Sequence, residues 1–214
     1  MAEKGLAWPQ RRYTNMATAY TVELAKRIFS CDGIVAKTLE QIPLLLCGHM
    51  NERGEWVDAD EVHGFTPIFH YYLGTNWRIG DDYMDDNVYT NEDIRRFPFY
   101  NGEEELRPDI LITTADNTRP ILLAEIKMSG NPEALHDLEK LTFFKSHINK
   151  DEAFCRYFFI YVNMSLEDLL NKIKNEHDID YTTLNPNIDC FCLKEQHVQH
   201  IKLRELIHII NNYF

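Results

Sequence analysis

The hydrophobic pattern is most informative between residues 107 and 127, where two apolar runs of strand length flank a polar segment. The first run is Arg107-Pro108-Asp109-Ile110-Leu111-Ile112, and the second is Ile121-Leu122-Leu123-Ala124-Glu125-Ile126-Lys127. Between them, Ala115-Asp116-Asn117-Thr118-Arg119-Pro120 has the composition of a turn. The pattern therefore predicts a β-hairpin.

Two charged residues interrupt the second run. Successive strand residues point to opposite faces, so Glu125 and Lys127 share a face with Leu123 in a run that otherwise reads as buried. A buried ion costs on the order of several kcal/mol unless it finds a partner. Asp109 opens the neighbouring strand and would supply a second carboxylate. A Mg²⁺ ion held by Asp109 and Glu125, with Lys127 beside it, accounts for all three charges. The alternative is an ordinary Glu125–Lys127 pair on a solvent-exposed sheet edge.

The spacing resembles a known family. Pro108-Asp109, fifteen intervening residues and then Glu125-Ile126-Lys127 are similar to the motif of the PD-(D/E)XK nuclease superfamily, which has the restriction-endonuclease-like fold. A predicted helix over 131–144, a predicted strand over 156–162 and an upstream helix at about 17–30 fit that family's core. The resemblance covers roughly residues 105–165. It implies an α/β protein with a central mixed β-sheet flanked by helices.

The resemblance also implies a function and a set of roles. The expected activity is that of a Mg²⁺- or Mn²⁺-dependent endonuclease that hydrolyses phosphodiester bonds, first of all in DNA. Asp109, Glu125 and the backbone carbonyl of Ile126 would hold the metal. Lys127 would position or help deprotonate the attacking water, and desolvation beside a cation would lower its pKa for that role. Double-strand cutters commonly use two copies of one site, which leaves a homodimer open.

Three further residues are candidates for the same site. The family often carries an acidic residue on the first helix, and Glu23 is the obvious position, although it falls beside Lys26 and Arg27 and away from the apolar face. Asp137 and Lys140 belong to an acidic-x-x-Lys-Leu pattern seen in many such nucleases. Lys140 would contact phosphate, while the three-residue spacing equally fits a surface ion pair on a helix.

The remaining pattern predicts one domain over residues 1–214. Its core comprises residues of about 17–30 and 105–165. We interpret residues 51–100 as a family-specific elaboration of this core. A C-terminal strand and helix occupy about 188–214. The first helix is expected to stop near Gly33, and residues 66–73 fit either a strand or a short helix. A helix over 165–176 with Ser165 as its N-cap, a strand over 188–193 and a closing helix over 198–214 complete the prediction.

Composition narrows the class of protein. The chain has 214 residues, five cysteines and a net charge of −12. It has no apolar run of bilayer length and no signal-peptide pattern, so we expect a cytoplasmic protein without a membrane partner. The acidic charge argues against a surface that embraces nucleic acid everywhere, because phosphate contacts need cations. A basic cleft would have to draw on a few residues: Arg95, Arg96, Arg107, Arg119, Lys140 and Lys145.

Two alternatives to a nuclease stay open at this point. One is the same fold without catalysis, serving as a module that binds nucleic acid or a protein partner. The other is an unrelated α/β protein whose hairpin charges lie on the surface. Cys190 and Cys192 with His197 and His200 have the chemistry of a zinc site, but a Cys-x-Cys strand more simply places two small residues on one buried face.

Overall fold

A six-stranded mixed β-sheet lies between two layers of helices. The structure is a computed structural model that describes residues 31–79, 86–129, 135–148, 155–175 and 180–213. The sheet order is β3-β4-β5-β6-β7-β8, in which β5, β6 and β7 are parallel and the other pairs are antiparallel. Its strands are β3 (Asn87–Tyr89), β4 (Ile110–Thr113), β5 (Pro120–Met128), β6 (Arg156–Val162), β7 (Asp189–Lys194) and β8 (His197–Lys202).

Helices and a small hairpin surround this sheet. A separate two-stranded sheet pairs β1 (Gly48–Met50) with β2 (Trp56–Asp58). The described helices are α1 (31–41), α2 (Thr66–Ile79), α3 (His136–His147), α4 (Leu166–Asn175) and α5 (Leu203–Tyr213). A π-helical turn, Glu61–Phe65, leads directly into α2, and two short 3₁₀ helices occupy Leu44–Leu46 and Ile94–Arg96. Among the described residues, no helix is both long enough and apolar enough to cross a membrane.

Alternation along the strands divides the core into two layers. Leu111 and Leu123 face the cluster formed with α3, α4 and α5. Ile112 and Ala124 face the opposite cluster, which contains α1 and α2. Because side chains alternate strictly along a strand, Glu125 and Lys127 belong to the layer that faces α3. The predicted class of a mixed sheet flanked by helices is therefore confirmed.

Several predicted elements agree with the structure. The predicted hairpin is β4 and β5, paired antiparallel with Ile110 opposite Ala124. The strand predicted over 156–162 is β6, and the strand predicted over 188–193 is β7, one residue later. Ser165 caps α4 as predicted: its Oγ accepts from Asp168 N at 3.2 Å, and the Asp168 carboxylate accepts from Ser165 N at 3.1 Å. This reciprocal pair is a capping box.

Other predictions need correction or fall outside the description. The helix predicted over 131–144 occupies His136–His147 within the described residues. The expected stop of the first helix near Gly33 is wrong, because residues 31–41 are helical. The 66–73 segment belongs to the longer helix α2. The helix predicted over 17–30 lies outside the described residues.

The predicted closing helix over 198–214 is wrong in its first part. Residues 197–202 form strand β8, and α5 begins only at Leu203. The hairpin turn between β7 and β8 consists of Glu195 and Gln196, both at positive φ of 50° and 65°. Such turns favour Asn and Gly, so a Glu-Gln turn carries no recognisable sequence signal. Without such a signal, the local pattern predicts one continuous helix across β8 and α5.

Candidate active site

The two predicted metal ligands lie at the same level of adjacent strands. Continuing the β4–β5 register past Ile110 and Ala124 places Asp109 opposite Glu125. Asp109 is 7% exposed, and its Oδ2 accepts a hydrogen bond from Ile126 N at 2.7 Å. Glu125 is 0% exposed on β5, which has a paired strand on each side. The alternative of a solvent-exposed Glu125–Lys127 pair at a sheet edge is therefore wrong.

The carboxylate of Glu125 is only partly satisfied. Its Oε2 accepts from Lys140 Nζ at 2.8 Å, whereas its Oε1 is buried and has no hydrogen-bond partner. Burial, together with the nearby negative charge of Asp109, raises the pKa of Glu125 well above its usual value. Burial also raises the pKa of Asp109, although the hydrogen bond from Ile126 opposes this effect. Two carboxylates that are both costly to ionise thus lie side by side.

Lys127 does not pair with Glu125. Its Nζ lies 2.6 Å from Glu61 Oε1 and 3.2 Å from Asp137 Oδ2. Burial disfavours the charged form of this lysine, but the hydrogen bond with Glu61 and the charge of Asp137 outweigh burial and raise its pKa. The sequence predicts a lowered Lys127 pKa beside a bound cation, whereas the surrounding protein residues raise it. In the protein alone, Lys127 is a firmly protonated ammonium group.

Glu61 is the site residue that sequence reasoning missed. It begins the π-helical turn ahead of α2, where backbone N–H groups favour a carboxylate. Its Oε1 bonds Lys127, and its Oε2 accepts from Met128 N at 3.2 Å. Glu61 comes from the 51–100 segment read as an elaboration, 66 residues before its partner. The acidic Asp58–Glu61 run preceding a helical pattern was the available signal, but it does not reveal what the helix packs against.

Helix α3 contributes the other two charged groups. The side chain of Asp137 is 14% exposed and that of Lys140 is 26% exposed. Both point towards β5, where Asp137 meets Lys127 and Lys140 meets Glu125. Lys140 Nζ also donates to Arg107 O at 2.9 Å. The interpretation as an Asp137–Lys140 surface pair is therefore wrong, because each has its partner on the sheet.

These six residues form what we call the β5 cluster. Its members are four carboxylates and two lysines: Glu61, Asp109, Glu125, Asp137, Lys127 and Lys140. When all are ionised, negative charge exceeds positive charge by two. Burial raises the pKa of Asp137 as well, against the lowering effect of Lys127 and Lys140. The unmatched Glu125 Oε1 and the surplus of carboxylate oxygens suit a hard divalent cation.

Most of the other candidates lie elsewhere. Glu23 lies outside the described residues. Ile126 lies between Glu125 and Lys127 with its side chain in the opposite core layer. Carboxylates outside the cluster pair with three of the proposed cleft cations: Arg95 with Asp93, Arg96 with Glu92 and Arg107 with Glu105. Lys145 donates to Asn185 Oδ1 at 2.9 Å, and Arg119 lies in the β4–β5 turn, where its backbone bonds Thr114. Of the proposed cleft cations, Lys140 is the one that the structure brings to the site.

A second group of charges, the β7 cluster, surrounds Asp189. Its Oδ2 pairs with Arg156 at 2.6 Å, and its Oδ1 bonds His200 at 2.9 Å and Lys202 at 2.7 Å. Arg156 also pairs with Asp32 at 2.5 Å. Among the described residues, Asp32, Asp189 and His200 are the one group of three possible metal-ligand residues whose ligand atoms lie within 4.8 Å of one another. Arg156 and Lys202 already supply positive charge there.

The suggested zinc ligands are not brought together. Cys190 and Cys192 are buried in the core layer beneath α3, α4 and α5, as the Cys-x-Cys pattern predicts. His200 lies opposite Phe191 in the β7–β8 pair, and its ring stacks on the Phe191 ring at a centroid distance of 4.4 Å. The cysteines and this histidine therefore occupy opposite faces of the sheet.

Comparison with known proteins found no relatives. No family model, no curated protein and no solved structure matches this chain.

Proposed function

We propose that this protein is a metal-dependent nuclease that hydrolyses phosphodiester bonds, in DNA first of all, with Mg²⁺ or Mn²⁺ at Asp109 and Glu125. One observation carries the proposal. Glu125 is fully buried on a central strand with an unmatched oxygen, opposite a second carboxylate and two residues before a lysine. Such an arrangement costs folding free energy, and it is typical of a site where function is favoured over stability.

The topology supports a restriction-endonuclease-like core. The hairpin β4–β5 is followed by α3, which crosses over to β6, and β6 lies parallel to β5. This strand–strand–helix–strand order is the one that the resemblance implies. β3 adds an antiparallel strand beside β4, which extends the mixed sheet on the other side of the hairpin. The charged residues of the motif then fall on β5 and at the start of β4.

The donor set fits Mg²⁺ or Mn²⁺. Asp109 and Glu125 offer carboxylate oxygens, and two such anchors suffice for an ion that keeps several of its waters. When bound, the metal would lower the pKa of a water and offset charge on the phosphate. Lys140, which now neutralises Glu125, is partly exposed and would then be able to contact phosphate. Glu125 Oε1 supplies the unmatched acceptor that this chemistry needs.

The protein's own residues determine the remaining roles. Glu61 and Asp137 hold Lys127 in place and keep it protonated. Lys127 therefore acts as a fixed positive charge that orients water and stabilises charge developing on the phosphate, and not as the base. Asp137 lies beside the ammonium group, and burial raises its pKa. It is accordingly the carboxylate best suited to accept a proton from that water.

A catalytically inactive module with the same fold is the second candidate. The observation that favours it is that both lysines of the β5 cluster already have carboxylate partners. In this case Lys140 would be the permanent counter-ion of Glu125, and the cluster would hold α3 against the sheet. Such a protein would bind nucleic acid or a protein partner without cleaving a bond.

Cleavage assays separate the two candidates. Supercoiled plasmid, linear DNA and RNA are incubated with wild type, Glu125→Gln and Glu139→Gln in Mg²⁺, Mn²⁺ or EDTA. Glu139 is the matched control because it is exposed on α3, next to Lys140. We expect metal-dependent cleavage by wild type and Glu139→Gln and none by Glu125→Gln. Equal cleavage by Glu125→Gln, or no metal-dependent cleavage of any substrate, would contradict the proposal.

A further inference from the structure

A cavity of about 320 Å³ opens at the carboxyl ends of β6 and β7, outside the β5 cluster. Its lining consists of Leu44, Trp56, Asn163, Lys194 and Glu195. Asn163 directly follows β6, and Lys194 and Glu195 end β7 and begin the turn after it. Leu44 and Trp56 come from the segment that carries the β1–β2 hairpin. The lining therefore combines a large aromatic ring with amide, cationic and carboxylate groups.

The Trp56 indole is fixed in position. Its Nε1 donates to Asp58 Oδ1 at 3.1 Å. A Cβ atom at Gly48 would lie 2.7 Å from two indole carbons. The ring therefore packs directly against the backbone at a position where only glycine fits. Trp56 nevertheless remains 39% exposed. An aromatic surface that is both held and accessible is suited to stacking against a planar ligand.

Hydrogen bonds connect this cavity to the end of β5. Asp58 Oδ1 also accepts from Asn163 Nδ2 at 2.7 Å, and Asp58 Oδ2 accepts from Ser129 Oγ at 2.6 Å. Ser129 follows Lys127 by two residues. Lys127 is in register with Tyr161 on β6, two residues before Asn163. Strand rise and spacing then place the Cα atoms of Lys127 and Asn163 roughly 8 Å apart, which is within the reach of neighbouring nucleotides.

We propose that this cavity receives one unpaired nucleobase of the substrate, stacked on Trp56, while the adjoining backbone lies at the β5 cluster. The proposal rests on the proposed nuclease function and specifies its substrate as single-stranded or locally unpaired nucleic acid. A volume of about 320 Å³ is at the small end of ligand sites, so it suits one planar ring system. Stacking on an aromatic side chain accepts any base, and a base inside a duplex must first leave the stack to reach it.

Binding measured in EDTA tests the pocket apart from catalysis. Fluorescence anisotropy gives the affinity of wild type, Trp56→Ala, Trp56→Phe and Leu45→Ala for a labelled single strand of about 12 nucleotides and for its duplex. Leu45 is a matched control because it is 75% exposed nearby and does not line the cavity. We expect Trp56→Ala to bind the single strand at least about fivefold more weakly. The affinities of Trp56→Phe and Leu45→Ala for the single strand should stay within about twofold of the wild-type affinity, because both variants keep an aromatic ring at position 56.

A second measurement tests the pocket in wild type and uses Trp56→Ala only as a control. Single strands are prepared that each carry one abasic nucleotide at a different position. Wild type should bind one of these strands more weakly than the others, whereas Trp56→Ala should bind all of them with the same affinity. Uniform affinity at all positions, or equal binding by wild type and Trp56→Ala, would overturn the pocket even if plasmid cleavage is observed. Absence of binding to any oligonucleotide would overturn it as well. Conversely, a position-specific loss without cleavage would keep the pocket and reject only the nuclease chemistry.

Discussion

The β5 and β7 clusters each contain a carboxylate that is completely buried, yet the two carboxylates are treated in opposite ways. Glu125 and Asp189 are both 0% exposed, and they lie on β5 and β7 with β6 between them. Asp189 is contacted by three cationic or donor side chains. Glu125 has one such partner, Lys140, and an oxygen without any. The difference lies in partners and not in burial.

The pKa values follow this difference. Burial alone would raise the pKa of Asp189, but hydrogen bonds from His200, Lys202 and Arg156 outweigh it and lower the pKa to about 2. For Glu125, burial and the charge of Asp109 prevail over Lys140, so its pKa rises. Asp189 therefore stabilises the fold as an ion, linking β6, β7 and β8, while Glu125 is an ion that the fold tolerates poorly.

This contrast indicates which charged cluster is a candidate for chemistry. A buried carboxylate whose oxygens are all matched by cations has a sufficient structural explanation. A buried carboxylate with an unmatched oxygen, beside further carboxylates, has none. Proximity of possible ligand atoms is a weaker criterion here. It selects Asp32, Asp189 and His200, where Arg156 and Lys202 already balance the charge.

The largest expected effect concerns activity at the β5 cluster. Lys127→Ala should lower the rate of metal-dependent cleavage by about 10²–10³-fold or more, because it removes a preorganised positive charge from the phosphate. Metal binding should stay nearly intact, since Lys127 contacts Glu61 and Asp137 rather than the proposed metal ligands. Cleavage rates and the metal-induced rise in melting temperature are measured together. Lys145→Ala, which removes a lysine bonded to Asn185, is the control. A near wild-type rate for Lys127→Ala would refute its role.

A large loss of stability is expected at the β7 cluster. Asp189→Ala removes the buried acceptor shared by Arg156, His200 and Lys202, while Arg156 keeps Asp32, and should cost about 3 kcal/mol in free energy of unfolding. For a chain of this size the melting temperature should fall by about 10 °C. Glu105→Ala, which removes exposed pairs with Arg95 and Arg107, should cost less than about 1 kcal/mol. Similar small losses for both variants, measured by thermal unfolding, would remove the distinction between the clusters.

The corresponding substitutions at the β5 cluster should have the opposite sign. Glu125→Gln and Asp109→Asn relieve repulsion between neighbouring carboxylates, so each should melt at or above wild type in EDTA. Lys140 is not stranded in Glu125→Gln, because it keeps its bond to Arg107 O and is partly exposed. Both variants should lose the rise in melting temperature that Mg²⁺ or Mn²⁺ gives wild type, whereas Glu139→Gln should keep it. A fall of about 10 °C for Glu125→Gln in EDTA, with no metal effect on wild type, would reject the metal site.

A more restricted effect is a pH dependence at Asp189, because it appears only in acid. Its pKa is lowered in the folded state to about 2, and an unfolded Asp titrates at about 3.9. The stability that it contributes is therefore complete above about pH 5 and is lost as the pH falls towards about 2. Melting temperatures of wild type and Asp189→Asn, measured from pH 5 to pH 2, should converge as the pH falls. Parallel curves for the two proteins would show that Asp189 is not stabilised as an ion.

The sequence by itself determined the hairpin, the strand face that carries Glu125 and Lys127, strands β6 and β7, and the capped helix α4. These features depend on alternation, turn composition and capping, which are local properties of the chain. The same local patterns were insufficient at the β7–β8 turn, where Glu195 and Gln196 adopt positive φ without the usual Asn or Gly.

Only the tertiary structure decided which charges meet. It paired Lys127 with Glu61 across 66 residues of chain, turned Lys140 towards Glu125, and gathered three partners around Asp189. Periodicity indicates the face on which a side chain lies, but its partner depends on which distant element packs against that face. For a buried ion, that partner determines the sign of the pKa shift. The partner therefore also determines whether the ion stabilises the fold or marks a site of chemistry.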